Sequence, residues 1–369
     1  MKGHTYKRGK TWTYVVDTGY DEISGKRKQK TKGGFATKKE AQTALAKVVS
    51  EISEGSYVEL SKETVENLLA MWLEMKKASL KETTFISYET SVKHIVYHLG
   101  RVTLEKLNAT QIQRMCNTLA NDLSSTTVNK IHNVLKRCLR YAVKIGMIQK
   151  NPAEFVDPQK EEPKELVVWD EQQAQHFMEL TKKSRNHIAF VLALTTGMRK
   201  GEILGLRWQD IDFENKSLSI RQTLSPLNKI QTGGKTTAAR RFISLPDMTL
   251  DALKQHRLRL KKEKLKMGEA YTDNDLVVCT RFGNVLGHND LSDSFQLYLK
   301  RSGLPKIRFH DLRHTHATLL LKAGVHVKIV SERLGHTNIA ITLNTYSHIM
   351  PGMQEEAVRK FEELFQTAK

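Results

Sequence analysis

Four side chains near the end of this 369-residue chain could act together on a phosphate: His310, Arg313, His336 and Tyr346. The guanidinium of an arginine is a planar fork that fits two phosphate oxygens. Histidine donates hydrogen bonds and moves protons near neutral pH. A tyrosine, whose ordinary pKa is about 10, is a useful nucleophile only where cations stabilise its phenolate. This set therefore predicts phosphoryl transfer to a tyrosine.

Glycines divide the segment Arg308–His348 into three predicted helices, because a glycine commonly follows the last residue of a helix. The predicted helices are one that ends at Gly324, one over Val327–Leu334 that ends at Gly335, and one over Ile339–Ser347. His310 and Arg313 are three residues apart, so they share a helix face. His336 follows the second helix and Tyr346 lies in the third, so one compact unit could bring all four side chains to one point.

A fifth candidate, Arg199, lies where a predicted helix starts, just after the buried helix Ile188–Thr196 and Gly197. Cations are usually unfavourable at a helix N-terminus. An arginine there is better explained if it faces a phosphate, which helix N-termini also bind. The alternative is an ordinary surface salt bridge. Glu202, three residues further on, could orient the arginines or the histidines.

These residues lie in motifs that resemble those of the tyrosine recombinases, the phage integrase family. The family's C-terminal signature is similar to His310-x-x-Arg313, Leu334-Gly335-His336 and Tyr346 ten residues later. Its upstream arginine box is similar to TTGMRKGEILGLRWQDID at 195–212, and its lysine-bearing β-hairpin to GGKTTAARRFISLP at 233–246. Each motif is weak alone, but their order and spacing are highly specific.

The resemblance implies a role for each site residue. Arg199 and Arg313 would clamp the scissile phosphate, while Tyr346 attacks phosphorus and forms a 3′-phosphotyrosyl link. The remaining roles fall to Lys235 as general acid for the departing 5′-oxygen, His310 for proton transfer, and His336 as a hydrogen-bond donor to the phosphate. Without the resemblance, Lys235 would be an ordinary surface lysine at a hairpin tip.

A metal site is the alternative for the histidines, because His310-Asp311-x-x-His314 superficially resembles a HExxH zinc motif. Aspartate replaces the glutamate, Arg313 would place a cation near the metal, and no third ligand is evident. We therefore predict no metal, and structural roles for His314 and His316. The resemblance implies no cofactor, since the covalent link conserves the energy of the phosphodiester and arginines form the clamp.

The bulk composition agrees with a polyanionic partner. The net charge is +19 and the isoelectric point is about 9.7, which suggests nucleic acid or an acidic membrane surface, although a merely soluble basic protein is the alternative. No apolar run approaches the roughly 18 residues of a membrane span, and the N-terminus lacks the apolar core of a signal peptide. The three cysteines lack CxxC spacing, which fits a reducing cytoplasm.

Residues 1–56 are predicted to form a small unit of three strands and a helix. Trp12, Tyr14 and Val16 alternate with Thr13, Val15 and Asp17, which is the pattern of a half-buried strand, and Thr37-x-x-Glu40 predicts a capping box at the start of the helix. A very basic second strand supplies the DNA-binding candidates, which are Lys26, Arg27, Lys28, Lys30 and Lys32. Such a strand could enter the DNA major groove, or it could be a solvated basic hairpin. The segment also resembles the arm-binding domain of integrases.

Residues 57–160 carry four amphipathic helical patterns, which predict a four-helix bundle. Its basic outer faces could be solvated, but the bundle resembles the family's core-binding (SAM-like) domain, which clamps DNA. The polar segment Asp157–Lys164 is a predicted linker.

Residues 165–369 are the predicted catalytic domain. Strands are predicted at Leu218–Ile220 and Phe242–Leu245, on either side of the turn that carries Lys235, and at Leu276–Val278. A long basic helix is predicted over Asp247–Gly268. The tail helix, Gln354–Gln366, could cap its own domain or pack on a neighbouring protomer, and we favour the second interpretation. The predicted fold class is mainly α with small β parts, in which the catalytic domain is α+β.

The resemblance implies a site-specific recombinase that integrates or excises a mobile element through a Holliday junction. The arm domain indicates the integrase of a temperate phage or of an integrative/conjugative element of Gram-positive type. The implied partners are double-stranded core and arm sites and a homotetramer, with an excisionase and a host DNA-bending protein as further candidates and no membrane. The expected location is the bacterial cytoplasm, at the nucleoid. Two alternatives stay open, a type IB topoisomerase-like nicking and rejoining enzyme and a non-catalytic DNA-binding regulator.

Overall fold

The chain divides into two compact units, Met1–Glu162 and Pro163–Lys369, and the boundary falls inside the predicted linker. The structure, a computed structural model, describes residues 3–20, 25–54, 57, 61–162, 166–232, 241–346, 358 and 361–362. Lys235 and most of the predicted tail helix therefore lie outside the described residues.

The first unit begins with an antiparallel sheet of strand order β1-β2-β3. Its strands are β1 (Gly3–Arg8), β2 (Thr11–Tyr20) and β3 (Arg27–Phe35), and helix α1 (Lys38–Ser53) follows them. The helix covers one face of the sheet, and Tyr14, Val16 and Val48 form the small core between them. The predicted three-stranded sheet with one helix is confirmed.

The start of α1 departs slightly from the predicted capping box. The Thr37 hydroxyl accepts a hydrogen bond from the N–H of Glu40 at 3.2 Å, as that motif requires. The Glu40 carboxylate, however, accepts from the N–H of Ala36 at 3.0 Å rather than from Thr37. The reciprocal half of the motif is thus shifted by one residue, because the turn that leads out of β3 presents the N–H of Ala36 instead.

Four helices complete the first unit, as predicted. They are α2 (Val65–Lys77), α3 (Glu82–Leu99), α4 (Ala109–Leu119) and α5 (Ser125–Lys144). Thr64, Asn108 and Ser124 each cap the helix that follows with a side-chain oxygen. The apolar faces meet in one core, where the Trp72 ring stacks on Tyr88 with 5.5 Å between the ring centroids.

The second unit is built around a helix that is apolar on all sides. This helix, α7 (His187–Thr196), is buried along most of its length. The helix before it, α6 (Glu171–Thr181), starts after Asp170 in a capping box with Gln173. Phe190 of α7 joins a cluster of aromatic rings, which also contains Trp169, Phe177, Phe295 and Phe309. Because α7 lies in the centre of this core, its C-terminal end fixes the position of the segment that begins at Gly197.

The β part of the second unit contains one more hairpin than predicted. After helix α8 (Lys200–Gly205), its strands are β4 (Ile211–Asp212), β5 (Ser217–Ser219), β6 (Gln222–Leu224), β7 (Ile230–Thr232) and β8 (Phe242–Ser244). β5 pairs with β8, which agrees with the prediction, but β6 and β7 form a separate hairpin between them. The strand directly before residues 233–240 is therefore β7, not the Leu218–Ile220 strand. Its three residues alternate too briefly to produce a sequence pattern.

The long basic helix is confirmed as α9 (Asp247–Met267), whereas the strand predicted at Leu276–Val278 is wrong. Leu276 makes only an isolated bridge with Arg207, and the N–H of Val277 bonds to the carbonyl of Leu206. A short apolar run indicates burial, and this one is buried as an irregular segment.

The last helices are α10 (His288–Ser302), α11 (Asp311–Lys322), α12 (Val327–Leu334) and α13 (Ile339–Tyr346). Gly324 and Gly335 follow α11 and α12 with φ of 77° and 69°, so the predicted glycine stops are confirmed. α11 packs along α7, and α12 packs against α13. Within the described part of the chain, every helix is too short or too polar to span a bilayer.

Candidate active site

Arg313, on the first turn of α11, is the most buried of the predicted site residues with charge, at 3% exposure. Its guanidinium donates to the carbonyl of Gly197 at 2.6 Å and to that of Leu334 at 2.7 Å. These partners are neutral dipoles, so they fix the side chain without neutralising it. An arginine held in this way keeps its charge for an anion.

Arg199 precedes the first residue of α8 and is more accessible, with 41% of its side chain exposed. Its guanidinium donates to the carbonyl of Gly335 at 3.1 Å and to Glu202 at 2.9 Å. The Glu202 carboxylate also accepts from the backbone N–H of Arg199 at 2.9 Å. The structure thus brings Glu202 against Arg199, on the side away from solvent.

A second arginine, Arg241, holds the other side of this carboxylate. Its two terminal nitrogens donate to the two Glu202 oxygens at 3.1 Å and 2.9 Å. Burial raises the pKa of Glu202, but the hydrogen bonds and charge of Arg241, followed by the charge of Arg199, outweigh it and leave the pKa below its ordinary value. Glu202 is therefore a buried, ionised carboxylate shared by two arginines.

Three consecutive carbonyls at the end of α12 accept hydrogen bonds from three arginines. The carbonyl of Arg333 accepts from Arg241, that of Leu334 accepts from Arg313, and that of Gly335 accepts from Arg199. The C-terminus of a helix carries partial negative charge and unpaired carbonyls, which favours cations there. The left-handed conformation of Gly335 turns the chain so that its carbonyl joins the other two.

The arginine cluster carries more positive charge than its carboxylate can offset. The pKa of Arg313 is lowered to about 9, first by burial and then by the charge of Arg199, while Glu202 acts in the opposite direction. At pH 7 Arg313 is still cationic. The excess positive charge of the cluster therefore favours the binding of an anion such as a phosphate.

Tyr346, at the end of α13, is 1% exposed and lies next to this cluster. Its hydroxyl is 2.7 Å from Nδ1 of His314. Burial raises the pKa of Tyr346 to about 12, although the charge of Arg313 opposes the rise. Burial lowers the pKa of His314, so the hydroxyl shares this hydrogen bond with a neutral ring. His314, predicted to be structural, therefore contacts the candidate nucleophile.

The other two predicted histidines lie at helix boundaries. His310 precedes α11, is exposed, and its ring is edge-on to His314 at 5.2 Å. His336 follows Gly335, and its Nδ1 is 2.8 Å from the Thr342 hydroxyl. The pKa of His336 is lowered to about 4, chiefly by desolvation and then by the charges of Arg313 and Arg199. The pKa of His310 is lowered as well, by partial desolvation and then by His314 and Arg313, so both rings are neutral at pH 7.

The remaining predictions for this unit concern His316, Lys235 and metal. His316 is buried with Nδ1 at 2.8 Å from the Leu194 carbonyl, a packing role that matches the prediction. Lys235 lies outside the described residues. Among the residues that the structure describes, His, Cys, Asp and Glu side chains form no group of three suited to a metal ion.

The basic residues of β3 do not all share one face of the N-terminal sheet. Lys30 and Lys32 lie opposite Val16 and Tyr14 of β2, on the face that α1 covers. Lys30 also lies 4.9 Å from the Tyr57 ring centroid. The other candidates are Lys26, Arg27 and Lys28, all exposed, and Arg27 is paired with Asp17.

Sequence reasoning missed Arg241 and the contact of His314. A signal for Arg241 exists in the spacing, because Arg241 lies two and four residues before Ile243 and Leu245 and so shares their inward face in the predicted strand, and the structure shows all three buried. A cation at the inward position of an alternating strand needs a buried carboxylate. No comparable signal marks His314, whose partner is 32 residues away.

Known proteins match this chain over nearly its whole length. The phage integrase family matches residues 168–352, an arm DNA-binding domain matches 4–52, and the N-terminal SAM-like domain of phage integrases matches 64–120. A XerC-like tyrosine recombinase of Caldanaerobacter subterraneus subsp. tengcongensis is 34% identical, over 99% of this chain and 99% of that protein. The chain belongs to the phage integrase family. It is a tyrosine recombinase of the integrase type.

Solved structures of other integrases share this fold. The Tn1549 transposon integrase in complex with transposon right end DNA aligns with a TM-score of 0.69 at 23% identity, over 82% of this chain and 99% of that one. A lambda integrase tetramer bound to a Holliday junction aligns with a TM-score of 0.60 at 21% identity, over 90% of this integrase and 95% of that chain.

Proposed function

We propose that this integrase recombines DNA at specific sites through a covalent link between Tyr346 and a DNA 3′-phosphate, and so integrates and excises a mobile element. The observation that carries the proposal is a buried tyrosine hydroxyl, Tyr346, held by His314 within the electrostatic reach of Arg313, whose charge is held by carbonyls and not by a carboxylate. The complexes of the Tn1549 and lambda integrases with DNA support the same substrate class.

In the proposed cleavage step, the Tyr346 oxygen attacks phosphorus and the bond from phosphorus to the 5′-oxygen of the next nucleotide breaks. Arg199 and Arg313 bind the non-bridging oxygens and stabilise the charge that grows on them. The tyrosine loses its proton, and the departing oxygen gains one. A 5′-hydroxyl of another strand then attacks the phosphotyrosine and reverses the step, so the number of phosphodiester bonds is conserved.

The proton transfers are assigned to side chains that are neutral or cationic at pH 7. His310 and His314 line the path of the tyrosine proton, since their ring centroids are 5.2 Å apart and His314 is hydrogen-bonded to the hydroxyl. His336 donates to the phosphate from its position after Gly335. We assign the protonation of the 5′-oxygen to Lys235.

The assembly is proposed to have three parts in each protomer, an arm-binding domain at 1–56, a core-binding domain at 57–160 and a catalytic domain at 165–369. Four protomers would act on paired core sites, as in the lambda integrase tetramer on a Holliday junction. An excisionase and a host DNA-bending protein would set direction and geometry. The site of action is the bacterial cytoplasm, where the nucleoid is.

The test uses a nicked suicide duplex that spans an end of the mobile element encoding the chain. Cleavage next to the nick releases a short strand, so the covalent protein–DNA product cannot religate. Wild type in EDTA is expected to give a band of protein linked to the DNA 3′ end on a denaturing gel. Tyr346→Phe is expected to give none. Tyr298→Phe, a tyrosine packed on Phe190, serves as the matched control and should give the wild-type band.

The outcomes separate the alternatives. Wild-type protein that binds the duplex but forms no covalent product would support a non-catalytic regulator. Relaxation of supercoiled plasmids without an element end would support a topoisomerase-like enzyme. A covalent band that persists in Tyr346→Phe would assign the nucleophile to another residue.

A further inference from the structure

The acceptor capacity of the Glu202 carboxylate is fully used. An ionised carboxylate has about four lone-pair positions. One Glu202 oxygen accepts from the Arg199 and Arg241 guanidiniums, and the other accepts from the Arg199 backbone N–H and from Arg241. Arg199 therefore cannot move relative to this carboxylate without breaking one of its two hydrogen bonds to it. Arg241 holds the carboxylate in the orientation that those two bonds require.

Arg241 is also fixed from its other side. Its Nε donates to the carbonyl of Arg333 at 2.8 Å, and 7% of its side chain is exposed. The same end of α12 supplies the Gly335 carbonyl to Arg199. Arg241 and Arg199 thus share two supports, the Glu202 carboxylate and the C-terminus of α12.

The next residues of α12 extend this network. Arg333 donates from Nε to His316 at 3.1 Å, and from a terminal nitrogen to the carbonyls of Thr195 and Ser244, each at 3.0 Å. Ser244 ends β8, the strand that Arg241 precedes. The strand, α12 and the last turn of α7 are therefore tied together around Arg241, within one compact unit.

We propose that Arg241 is a positioning residue for Arg199: it orients the Glu202 carboxylate against α12 and thereby sets the guanidinium that meets the scissile phosphate. The inference rests on the proposed function. It assigns Arg241 no contact with DNA or with the reacting atoms, because each of its three guanidinium nitrogens donates to Glu202 or to Arg333 and the side chain is 7% exposed.

The first test compares wild type with Arg241→Lys on the nicked suicide duplex. A lysine keeps the charge but cannot make a bidentate pair and a third bond together. The single-turnover rate of covalent product at saturating protein is expected to fall about 10- to 100-fold, as for a misplacement of roughly 1 Å. The equilibrium Kd for the duplex should stay close to wild type. A rate equal to wild type would overturn the inference.

A double-mutant cycle distinguishes positioning through Glu202 from a general effect on folding. In a Glu202→Gln background, Arg241→Lys is expected to lower the rate little further, because the carboxylate through which it acts is gone. Losses that multiply in the double variant would mean that Arg241 acts independently of Glu202, and would overturn the proposal.

Arg207→Lys is the matched control. Arg207 makes a bidentate pair at 2.8 Å and 2.9 Å in the same unit, but with the buried Asp210 instead of Glu202. Its variant should cleave at the wild-type rate, and a loss equal to that of Arg241→Lys would contradict a specific role.

If Arg241→Lys does not fold by circular dichroism, Arg241→Gln, which keeps amide donors toward Glu202, takes its place in the cycle. Wild type without covalent product would instead overturn the proposed function and the inference with it.

Discussion

Two cationic regions of this integrase are built in opposite ways. Arg199, Arg241 and Arg313 in the second unit are held by two or more hydrogen bonds each, and Arg241 and Arg313 are buried. The basic residues at the start of β3 lie on an edge strand and most are exposed. One region therefore presents charge at fixed points, and the other presents it over a solvated surface.

The difference follows from the cost of each arrangement. Burying a cation requires hydrogen bonds that replace water, so it is worthwhile only where the position of the charge matters. Exposed lysines need no such partners and attract a polyanion through counterion release, which depends on salt. The buried cluster should therefore control the rate of cleavage, and the exposed strand should control affinity.

The largest expected effect is that of Arg313→Lys. A lysine cannot keep both carbonyl bonds and also present a fork to the phosphate, so cleavage at saturating protein should fall roughly 10²- to 10³-fold. Single-turnover gels on the suicide duplex measure it. Arg259→Lys, whose parent guanidinium donates to the Ser184 carbonyl at 2.8 Å, is the control and should cleave normally. A loss of affinity with no loss of rate would remove the contrast between the two regions.

A smaller loss is expected for His314→Phe. It removes the ring nitrogen 2.7 Å from the Tyr346 hydroxyl, so the nucleophile is no longer held and the rate should fall roughly 10- to 100-fold. His314→Gln keeps an acceptor and should recover part of the rate. Equal rates for the two variants would show that the hydrogen bond is not what matters at this position.

Buried neutral histidines should make the catalytic unit sensitive to acid. The pKa values of His256 and His316 are lowered to about 4 by burial, against about 6.5 in an unfolded chain. Between these values the unfolded state binds more protons, so the free energy of unfolding rises with pH and is lost as the pH falls from 6.5 toward 4. Each residue contributes on the order of 1 kcal/mol per pH unit.

Urea unfolding of the full chain at pH 5, 6 and 7 measures this dependence. His256→Gln replaces a ring that bonds to the Val277 carbonyl at 2.8 Å by an amide that can make the same bond without titrating. Its stability should change less with pH than that of wild type. Identical pH slopes would show that His256 is not the source.

The smallest effect is expected from Lys30→Gln with Lys32→Gln. Cleavage at saturating protein should be unchanged, while the slope of log affinity against log salt becomes shallower by about 2 if both lysines meet phosphates. Filter binding over a salt series checks it, with Lys182→Gln, from an exposed pair with Glu179, as the control. Because Lys30 and Lys32 lie on the face toward α1, an unchanged slope would locate DNA contact on the opposite face of the sheet.

Much of the fold followed from local sequence signals. Asp170 and Thr64 cap helices with their own oxygens, and Gly197, Gly324 and Gly335 adopt left-handed conformations where helices end. Signals of this kind work over three or four residues, so they survive in any tertiary context. Short strands give no comparable signal, because the three residues of β6 and of β7 contain too little alternation to distinguish them from coil.

The sequence by itself determined which residue types are available for phosphoryl transfer and which helices carry them, because motif order and helix periodicity are properties of the chain. Only the tertiary structure decided that Arg241 meets Glu202 across 39 positions and that His314 meets Tyr346 across 32. It also decided that three successive carbonyls of α12 receive three arginines from separate elements. Such contacts depend on how packed helices place their ends, and burial then makes each unpaired partner too costly to leave free.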